Sequence, residues 1–455
     1  MSEASLTSPS GGSGQQTYQR LDLNFFISAD QAGQYLTLPF EMPASVERLE
    51  LSYDYPTHRF APETLAGGSF TSRTRQNIID LGLIAPDGQQ VGASGSDKKE
   101  IQLSAVEATP GYQPTPLAAG TWQILAGAYM VAPEGVSVHY QLHFTFKQPR
   151  WLLGDPHVHT IGSDGCLSLG ELAAHARAHG LDWLAVTDHN QFVDEAALPR
   201  LPGLTVIPGV EWTHYRGHAN FLGLPHPYDG VFFSNDAEGV QQRFASAAQR
   251  GALVVINHPF DENCPFTFDL ERLPWHLVEV WNGPMRPSNL KAIAWWNQLL
   301  LSGRKVAMIG GSDYHRDRFG QILAAPAVYA YAQSSSPQDI LSALAQGRSY
   351  LVAQPGGARL EMHSSATLPG GSTPWAPGSS LEVHLDGLQP GDVLKLITPN
   401  GVQELFSAAR AGSFSGSFAI TQPGFARLEL WQSYAGLLPS LPVLLSNPIW
   451  FDPPA

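Results

Sequence analysis

Cysteine, basic residues and long apolar runs are all scarce in this sequence of 455 residues. The two cysteines, Cys166 and Cys264, are too few for a disulfide framework and lack the paired spacing of a zinc-thiolate site. No apolar run approaches the roughly 18 residues that a membrane-spanning helix requires, so we expect no membrane association. Residues 1–17 are polar, rich in Ser and Gly and without an export signal, and they predict a disordered leader on a cytoplasmic protein.

Basic charge is also in deficit, with 26 Lys and Arg against 40 Asp and Glu and a net charge of −14. Proteins that bind nucleic acids usually carry a basic stripe, so we do not expect nucleic acid as a bulk partner. A small anionic substrate held at a metal remains compatible with this charge. The sequence leaves the oligomeric state open, a homo-oligomer included.

The pattern of apolar runs and turns along the chain predicts three folded domains after the leader. Residues 18–148 show short alternating runs between Gly, Pro and Asp turns, which predicts an N-terminal β-sandwich or jelly roll. From residue 149 to 354, strand-like runs alternate with amphipathic helices, such as the one that the Ser168-x-x-Glu171 capping box opens. This alternation predicts an α/β fold of the barrel type. Short strands between Gly- and Pro-rich turns over residues 355–455 predict a C-terminal β-sandwich.

Residues able to bind metals concentrate in the middle domain. His157 and His159 lie two apart on a predicted strand, so their side chains project to the same side and can bind one cation together, while Asp164 returns from the following loop. Further His, Asp and Glu residues lie at the ends of other apolar runs, namely Asp188, His189, Glu211, His218, His258, Asp313 and His315. Each histidine alone would more often be a packing residue. Burying all of them together without a metal would cost several kcal/mol per ion, so the set predicts a metal site.

This order of residues resembles the PHP (polymerase and histidinol phosphatase) superfamily of metal-dependent hydrolases. Together with Pro110-Gly111-Tyr112 and Ser446-Asn447-Pro448-Ile449, it resembles the carbaryl hydrolase-like (CehA/McbA-like) branch. The resemblance implies a distorted (β/α)7 barrel that holds two or three divalent ions. One ion would be bound by His157, His159, Glu211 and Asp313; a second by Glu211, His218 and His258; a third by Asp164, His189 and His315. Some members have histidine in place of Asp164, which leaves the third site open, and nitrogen and oxygen ligands suit Zn, Mn or Fe.

The chemistry that follows is hydrolysis of a small-molecule ester. Two adjacent cations lower the pKa of a bridging water, and the resulting metal-bridging hydroxide makes a protein nucleophile unnecessary. The resemblance favours a phosphoesterase acting on phosphomonoesters or phosphodiesters; a carbamate or carboxyl-ester hydrolase is the second interpretation, and a non-catalytic binding protein the third. We expect Glu211, Asp313 and His258 to act directly in catalysis. Candidates for substrate contacts are Arg216, Asn282, Arg286, Tyr314 and Arg316, and Asp188 is a candidate for orienting a ligand.

Overall fold

The computed structural model describes residues 4–7, 17–65, 68–318, 321–433 and 440–454. The chain divides into two compact units, Met1–Gln148 and Pro149–Ala455. None of the helices in the described ranges is both long and apolar enough to span a bilayer.

The described part of the first unit consists of antiparallel strands. They are β1 (Ala4–Thr7), β2 (Tyr18–Ile27), β3 (Gln34–Met42), β4 (Val46–Asp54), β5 (His58–Leu65), β6 (Gly68–Arg75), β7 (Ile78–Ile84), β8 (Gln90–Ser94), β9 (Glu100–Ser104), β10 (Gly120–Met130) and β11 (Val136–Phe146). One sheet has the order β1-β2-β11-β4-β9, a second β3-β10-β7-β8, and β5 pairs with β6 alone. Side chains of β11 are buried at alternate positions, and those of Val138 and Tyr140 share one apolar core with Trp122 of β10. The two main sheets therefore pack on a common core, which is the arrangement of a β-sandwich.

The predicted disordered leader differs from the structure at Ala4–Thr7, which forms a strand antiparallel to β2. In this pairing Ala4 lies opposite Leu23 and Thr7 opposite Arg20. Backbone hydrogen bonds to β2 therefore hold this short segment in an extended conformation. Residues 1–3 and 8–16 of the predicted leader lie outside the described residues.

The first part of the second unit alternates strands and helices. Its strands are β12 (Arg150–Val158), β13 (Trp183–Val186), β14 (Thr205–His214), β15 (Gly217–Leu222), β16 (Leu253–Ile256), β17 (Leu277–Asn282), β18 (Ala307–Gly311), β19 (Ala327–Ala332) and β20 (Ser349–Val352). Its helices are α1 (Leu169–Ala178), α2 (Ala237–Gln249), α3 (Pro287–Leu301) and α4 (Pro337–Ala345). Ser168 and Glu171 form the predicted capping box at the start of α1, and Ser336 caps α4 with Pro337 in its first turn.

The remainder of the second unit is formed by strands. They are β21 (Arg359–His363), β22 (Ser372–Pro374), β23 (Ser380–Leu388), β24 (Val393–Thr398), β25 (Gly401–Ser407), β26 (Gly412–Ala419), β27 (Gly424–Gln432), β28 (Leu441–Ser446) and β29 (Ile449–Asp452). Pairing of β20 with β28 makes β28, β27, β24 and β25 continuous with the sheet of the preceding segment, whereas β21, β23 and β26 form a separate sheet of three strands. The structure therefore groups residues 149–455 into one unit, where the sequence predicted two domains.

The second unit is mixed α/β and rich in strands. Seven strands follow one another in the order β18-β17-β16-β15-β14-β13-β12, with parallel pairing except at β14–β15 and β15–β16, which are antiparallel. A single parallel bridge joins Val158, at the end of β12, to Tyr314, just after β18. With two antiparallel pairings and four α-helices in its described residues, the unit does not show the regular alternation of a (β/α)7 barrel.

Candidate metal centre

Strand β12 brings the first two predicted ligands into the interior of the second unit. His157 and His159 are fully buried, and Val158 between them packs in the apolar core on the other face. This alternation is the period of an extended strand. Both imidazoles therefore face the same space, as their spacing predicted.

Four buried polar atoms meet in that space and have no hydrogen-bond partner among the described residues. They are Nε2 of His157, Nε2 of His159, Oε2 of Glu211 and Oδ1 of Asp313. Asp313 Oδ1 lies 3.3 Å from Nε2 of His157 and 3.0 Å from Nε2 of His159, and Glu211 Oε2 lies 3.5 Å from Nε2 of His159. Buried polar groups are almost always hydrogen-bonded, so four orphaned atoms at one point indicate a missing binding partner.

Glu211 is the hub of the cluster. Its Oε1 atom lies 3.3 Å from His157 Nε2, 3.2 Å from His218 Nδ1 and 3.4 Å from His258 Nε2. Its Oε2 atom lies 2.8 Å from His189 Nδ1 but not in hydrogen-bonding geometry, and that nitrogen has Thr213 Oγ1 as its partner at 2.6 Å. The sequence suggested that Glu211 and His218 lie at the ends of strands. Strands β14 and β15 instead form an antiparallel hairpin that continues past Glu211, so both residues lie within paired strands. The two carboxylate oxygens nevertheless face different histidines, which is the geometry of a bridging ligand.

The third predicted group lies at the more exposed side of the cluster. Asp164 Oδ1 is 3.1 Å from His315 Nε2 and 3.7 Å from His189 Nε2. The Asp164 side chain is 57% exposed, whereas His315 is 15% exposed. His315 donates from Nδ1 to the carbonyl oxygen of Asp313 at 2.8 Å, which leaves its Nε2 free to face Asp164. The predicted ligands of the third site are thus close together around one open face.

Electrostatics in the cluster favour positive charge. Burial by itself would lower the pKa of His157, but the carboxylates of Asp313, Glu279 and Glu211 outweigh it and raise the pKa well above its usual value. Burial would likewise raise the pKa of Glu211, yet His157, His189 and His218 hold it well below its usual range. The pKa values of His189 and His258 are also raised by nearby carboxylates, whereas burial lowers the pKa of His159, so without another cation only some of the imidazoles would carry a proton to balance the carboxylates.

These residues fit a set of divalent ions. Groups of three or four side chains place their ligand atoms within 4.8 Å of one another, among them His157-His159-Glu211, His189-Glu211-His218 and His159-Asp164-His189-His315. The donors are imidazole nitrogen and carboxylate oxygen, which suit Zn, Mn and Fe. A cation would satisfy the four orphaned atoms and neutralise the carboxylates at once. All nine predicted ligands therefore belong to one cluster in the structure.

Two of the ligands have an unusual backbone conformation. His258 has a φ of 27° and Asp313 a φ of 50°, both in the left-handed region that non-glycine residues rarely adopt. Such strain is found where surrounding structure holds a side chain in a required position. Each is the second residue after the end of a strand, β16 for His258 and β18 for Asp313, and the turn of the chain there directs its side chain into the cluster.

Asp188 and Asp155 organise the loops around the ligands. Asp188 accepts hydrogen bonds from Thr160 N at 2.7 Å, Thr160 Oγ1 at 2.6 Å and Ser163 Oγ at 2.7 Å. It therefore shapes the loop between His159 and Asp164. The sequence suggested that Asp188 orients a ligand, and these three hydrogen bonds go to the loop rather than to the ring of a histidine ligand. Asp155, fully buried, accepts from the backbone of His157, Ser312 and Ala324, and burial raises its pKa to about 6.

A cavity of about 380 Å³ adjoins the cluster on the side of His258 and Asp313. Two of the predicted substrate residues, Asn282 and Arg286, line it together with Arg318, Gln321 and Cys264. A cavity beside the ligands provides space for a substrate to reach them. The sequence suggested no role for Cys264, whose Sγ atom lies 3.7 Å from Nδ1 of His258.

The other predicted substrate residues point elsewhere. Arg216 donates to the carbonyl oxygen of Thr267 at 3.0 Å and covers the ring of Phe268. Arg316 donates to the carbonyl oxygen of Asp164. Tyr314 is buried in the same apolar core as Val158, with which it forms a backbone bridge, and its side chain therefore lies away from the cluster.

Sequence reasoning missed two buried residues at the cluster. Glu279 accepts from Nδ1 of His157 at 2.9 Å, and Asn257 donates from Nδ2 to Oε1 of Glu211 at 2.9 Å. Glu279 interrupts the apolar run Leu277-Val278-Glu279-Val280-Trp281, and a carboxylate within a fully buried strand is the signal that could have found it. Asn257 directly precedes His258, and nothing in its local pattern distinguishes it.

Comparison with known proteins gives weak similarities. No protein-family model matches the sequence, and no curated protein matches it as a relative. Among solved structures, a two-domain protein from Bacteroides vulgatus containing a predicted PHP-like metal-dependent phosphoesterase is 19% identical, covering 62% of this chain and 90% of its own, with a TM-score of 0.37. A protein from Bifidobacterium adolescentis, named as a metal-dependent phosphoesterase, is 15% identical over 42% of this chain and 96% of its own, with a TM-score of 0.29.

An amidohydrolase from Chromobacterium violaceum, with bound sulfate and no metal, is 15% identical over 37% of this chain and 89% of its own, with a TM-score of 0.26. Similarity at this level does not establish the fold or the activity of this chain. The functional assignment therefore rests on the geometry of the cluster.

Proposed function

We propose that this protein is a metal-dependent hydrolase that cleaves phosphate esters. The observation that carries the proposal is the meeting of four buried, orphaned atoms, from His157, His159, Glu211 and Asp313, at distances of 3.0 to 3.5 Å. Two of these atoms are carboxylate oxygens, and a neutral His157 that donates from Nδ1 to Glu279 presents only a lone pair at Nε2, so within the protein only protonated imidazoles could satisfy the carboxylates. Divalent cations satisfy all of them.

Each predicted ligand has a separate part in this proposal. His157, His159 and Asp313 would hold one ion, and Glu211 would share its two oxygens between that ion and a second one at His218 and His258. Asp164, His189 and His315 would hold a third at the exposed side. Ions bound in this way would lower the pKa of a bound water towards neutrality and polarise the ester oxygen. Glu211, Asp313 and His258 then position the reacting groups, and Asp188 keeps the loop carrying Asp164 in place.

The cavity supports a phosphate ester over a neutral carbamate. Two guanidinium groups, those of Arg286 and Arg318, line it beside the carboxylates of Asp261, which lies 3.6 Å from Arg286, and of the predicted ligand Asp313. Guanidinium matches the geometry and charge of a phosphoryl group and forms paired hydrogen bonds with it. A carbamate offers no negative charge to these residues in its ground state.

The proposal includes the fold that carries the site. We propose that strands β12 to β18 form a distorted barrel of seven strands, with the bridge between Val158 and Tyr314 as its closure. This closure would explain why ligands from β12 and from the segment after β18 lie side by side.

Metal analysis and substrate turnover test the function. The purified protein is expected to contain Zn, Mn or Fe and, after reconstitution, to hydrolyse p-nitrophenyl phosphate or bis-p-nitrophenyl phosphate faster than naphthyl carbamate. The His157→Ala/His159→Ala double variant should lose both the bound metal and the turnover. Faster cleavage of the carbamate would identify the second interpretation, and unchanged turnover in the double variant would refute a metal-dependent mechanism.

A further inference from the structure

Glu279 is a buried carboxylate in an apolar strand that no part of the proposed ligand set uses. It lies in the middle of β17, is 2% exposed, and has the core residues Val278 and Val280 as neighbours. An ionised carboxylate buried in this way is costly unless several donors surround it. The donors around Glu279 show what it does.

Three donors from three parts of the cluster point at this one carboxylate. His157 donates from Nδ1 to Oε1 at 2.9 Å, while the backbone N–H of His258 and the side-chain amide of Asn282 donate to Oε2 at 3.0 and 3.1 Å. We propose that Glu279 is a positioning residue that fixes two metal ligands, the ring of His157 and the backbone of His258, at two different ions. This inference rests on the proposed metal site but not on the choice of substrate.

The bond to Nδ1 determines how His157 can bind a metal. A carboxylate can only accept, so the proton of the neutral ring lies on Nδ1 and the lone pair lies on Nε2. That nitrogen faces Glu211 and Asp313, at 3.3 Å from each. Glu279 therefore selects the tautomer and the ring orientation that the first ion requires.

The bond to the backbone N–H acts on the second ion. His258 has a φ of 27°, an unfavourable conformation that needs support from its surroundings. Oε2 of Glu279 accepts from the N–H of this same residue and thereby stabilises the turn that directs the imidazole towards Glu211.

Asn282 extends the same network to a further ligand. Its Nδ2 atom donates to Oε2 of Glu279 and, at 3.3 Å, to Oδ2 of Asp313. Its Oδ1 atom accepts from Arg286 at 2.9 Å, which fixes the amide in this orientation. Asn282, predicted to contact substrate, thus links Glu279 to Asp313.

The chemistry of Glu279 is specific, because all three partners are donors. A glutamine in its place would have one acceptor oxygen and one NH₂ group, so its NH₂ would face either His157 Nδ1 or the donors at Oε2. An aspartate would keep the charge but is one methylene shorter and would not reach both sides. The two substitutions therefore separate the need for charge from the need for reach.

Titration of metal-free, full-length protein with Co²⁺ tests the proposal without using turnover. We expect Glu279→Gln to weaken Co²⁺ binding about 10- to 100-fold and to change the visible d–d spectrum, with Glu279→Asp between it and the wild type. Glu429→Gln is the matched control, since Glu429 is also a buried strand glutamate, paired with Arg427 in β27. This control should lose thermal stability while keeping the Co²⁺ affinity and spectrum of the wild type.

The outcomes separate the two proposals. Wild-type protein that binds no Co²⁺ would refute the metal site itself and the role of Glu279 with it. Wild-type binding together with an unchanged affinity and spectrum in Glu279→Gln would refute the positioning role alone. If Glu279→Gln does not fold, ¹⁵N NMR of zinc-loaded wild-type protein decides: a protonated Nδ1 and a ligating Nε2 at His157 support the proposal, and ligation through Nδ1 overturns it.

Discussion

Oε2 of Glu211 and Nε2 of His159 lie 3.5 Å apart, both buried and both without a hydrogen-bond partner among the described residues. Oε1 of the same carboxylate faces His218 and His258. Glu211→Gln removes the charge while keeping the size of the side chain. We expect turnover to fall by more than about 100-fold, beyond the effect of losing an outer partner of a ligand, and the metal content to fall with it. Elemental analysis beside steady-state kinetics checks this, and a fully loaded, active Glu211→Gln variant would contradict the bridging role.

Removal of metal should destabilise the fold. The carboxylates of Glu211, Asp313 and Glu279 all lie close to His157. A bound cation would reduce the electrostatic repulsion between these negative charges. A ligand that binds only the folded state at 100 times its Kd stabilises that state by about 2.7 kcal/mol. Calorimetry should therefore show a lower Tm after treatment with a chelator and recovery on addition of Zn²⁺ or Mn²⁺. The His157→Ala/His159→Ala variant should show no such dependence, and a wild-type Tm unaffected by chelator would argue against bound metal.

Gly311 allows β18 to approach β12 at the cluster. A Cβ atom at this position would lie 2.5 Å from Cβ of His157, closer than atoms can pack, and in a tight contact of 3.1 Å with Oε1 of Glu279. Gly311→Ala should therefore push β12 and β18 apart, at a cost of about 1–3 kcal/mol in the free energy of unfolding, and weaken metal binding. Denaturant unfolding and metal titration measure the two effects.

Gly170 provides the control for that substitution. It lies in α1, and a Cβ atom there would meet nothing within 4 Å. Gly170→Ala is expected to be neutral or stabilising by up to about 1 kcal/mol, since alanine favours a helix. Equal effects of the two substitutions would mean that the approach of β18 to His157 is not required.

Two simple rules explain why the sequence could predict that these side chains come together, while their binding of metal stays a prediction. Alternation along a strand places His157 and His159 on one side, and apolar strands that end in polar residues deliver groups such as His258 and Asp313 to a common place. Tyr314 was predicted as a substrate contact because it directly follows a ligand. Its side chain instead packs in the apolar core with Val158, so a position next to a ligand does not by itself place a side chain in the cluster.

What could not be predicted depends on contacts between distant parts of the chain. Glu279 and His157 are 122 residues apart in the sequence. Apart from the charge within an apolar strand, nothing near Glu279 in the sequence indicates that it bonds to His157. The pairing of β20 with β28 also joins distant parts of the chain, such as Tyr350 and Ser446, and connects the predicted C-terminal sandwich to the sheet before it. Local periodicity defines strands, but which strands pair depends on the whole core.

Arg286 should contribute to binding of a phosphate ester. It lines the cavity beside Asp313, and its side chain is 43% exposed, although one guanidinium nitrogen lies 3.6 Å from Oδ2 of Asp261. A hydrogen bond to a charged group contributes about 1.5–3 kcal/mol, which corresponds to a KM roughly 10- to 100-fold higher for p-nitrophenyl phosphate in Arg286→Gln. Because Arg286 also holds Asn282, a smaller decrease in kcat is expected beside it.

Arg216→Gln is the control for that charge. Arg216 is another exposed arginine of the second unit, but it is bound to Thr267 and covers Phe268 rather than lining the cavity. We expect its KM for the phosphate ester to match the wild type. If Arg286→Gln leaves the KM for the phosphate ester unchanged, or raises the KM for a neutral carbamate by the same factor, then the cavity does not recognise the charge of the phosphoryl group. The second interpretation, a carbamate or carboxyl-ester hydrolase, would then be favoured. Bound metal ions would polarise a carbonyl oxygen as well as a phosphoryl oxygen, without help from an arginine.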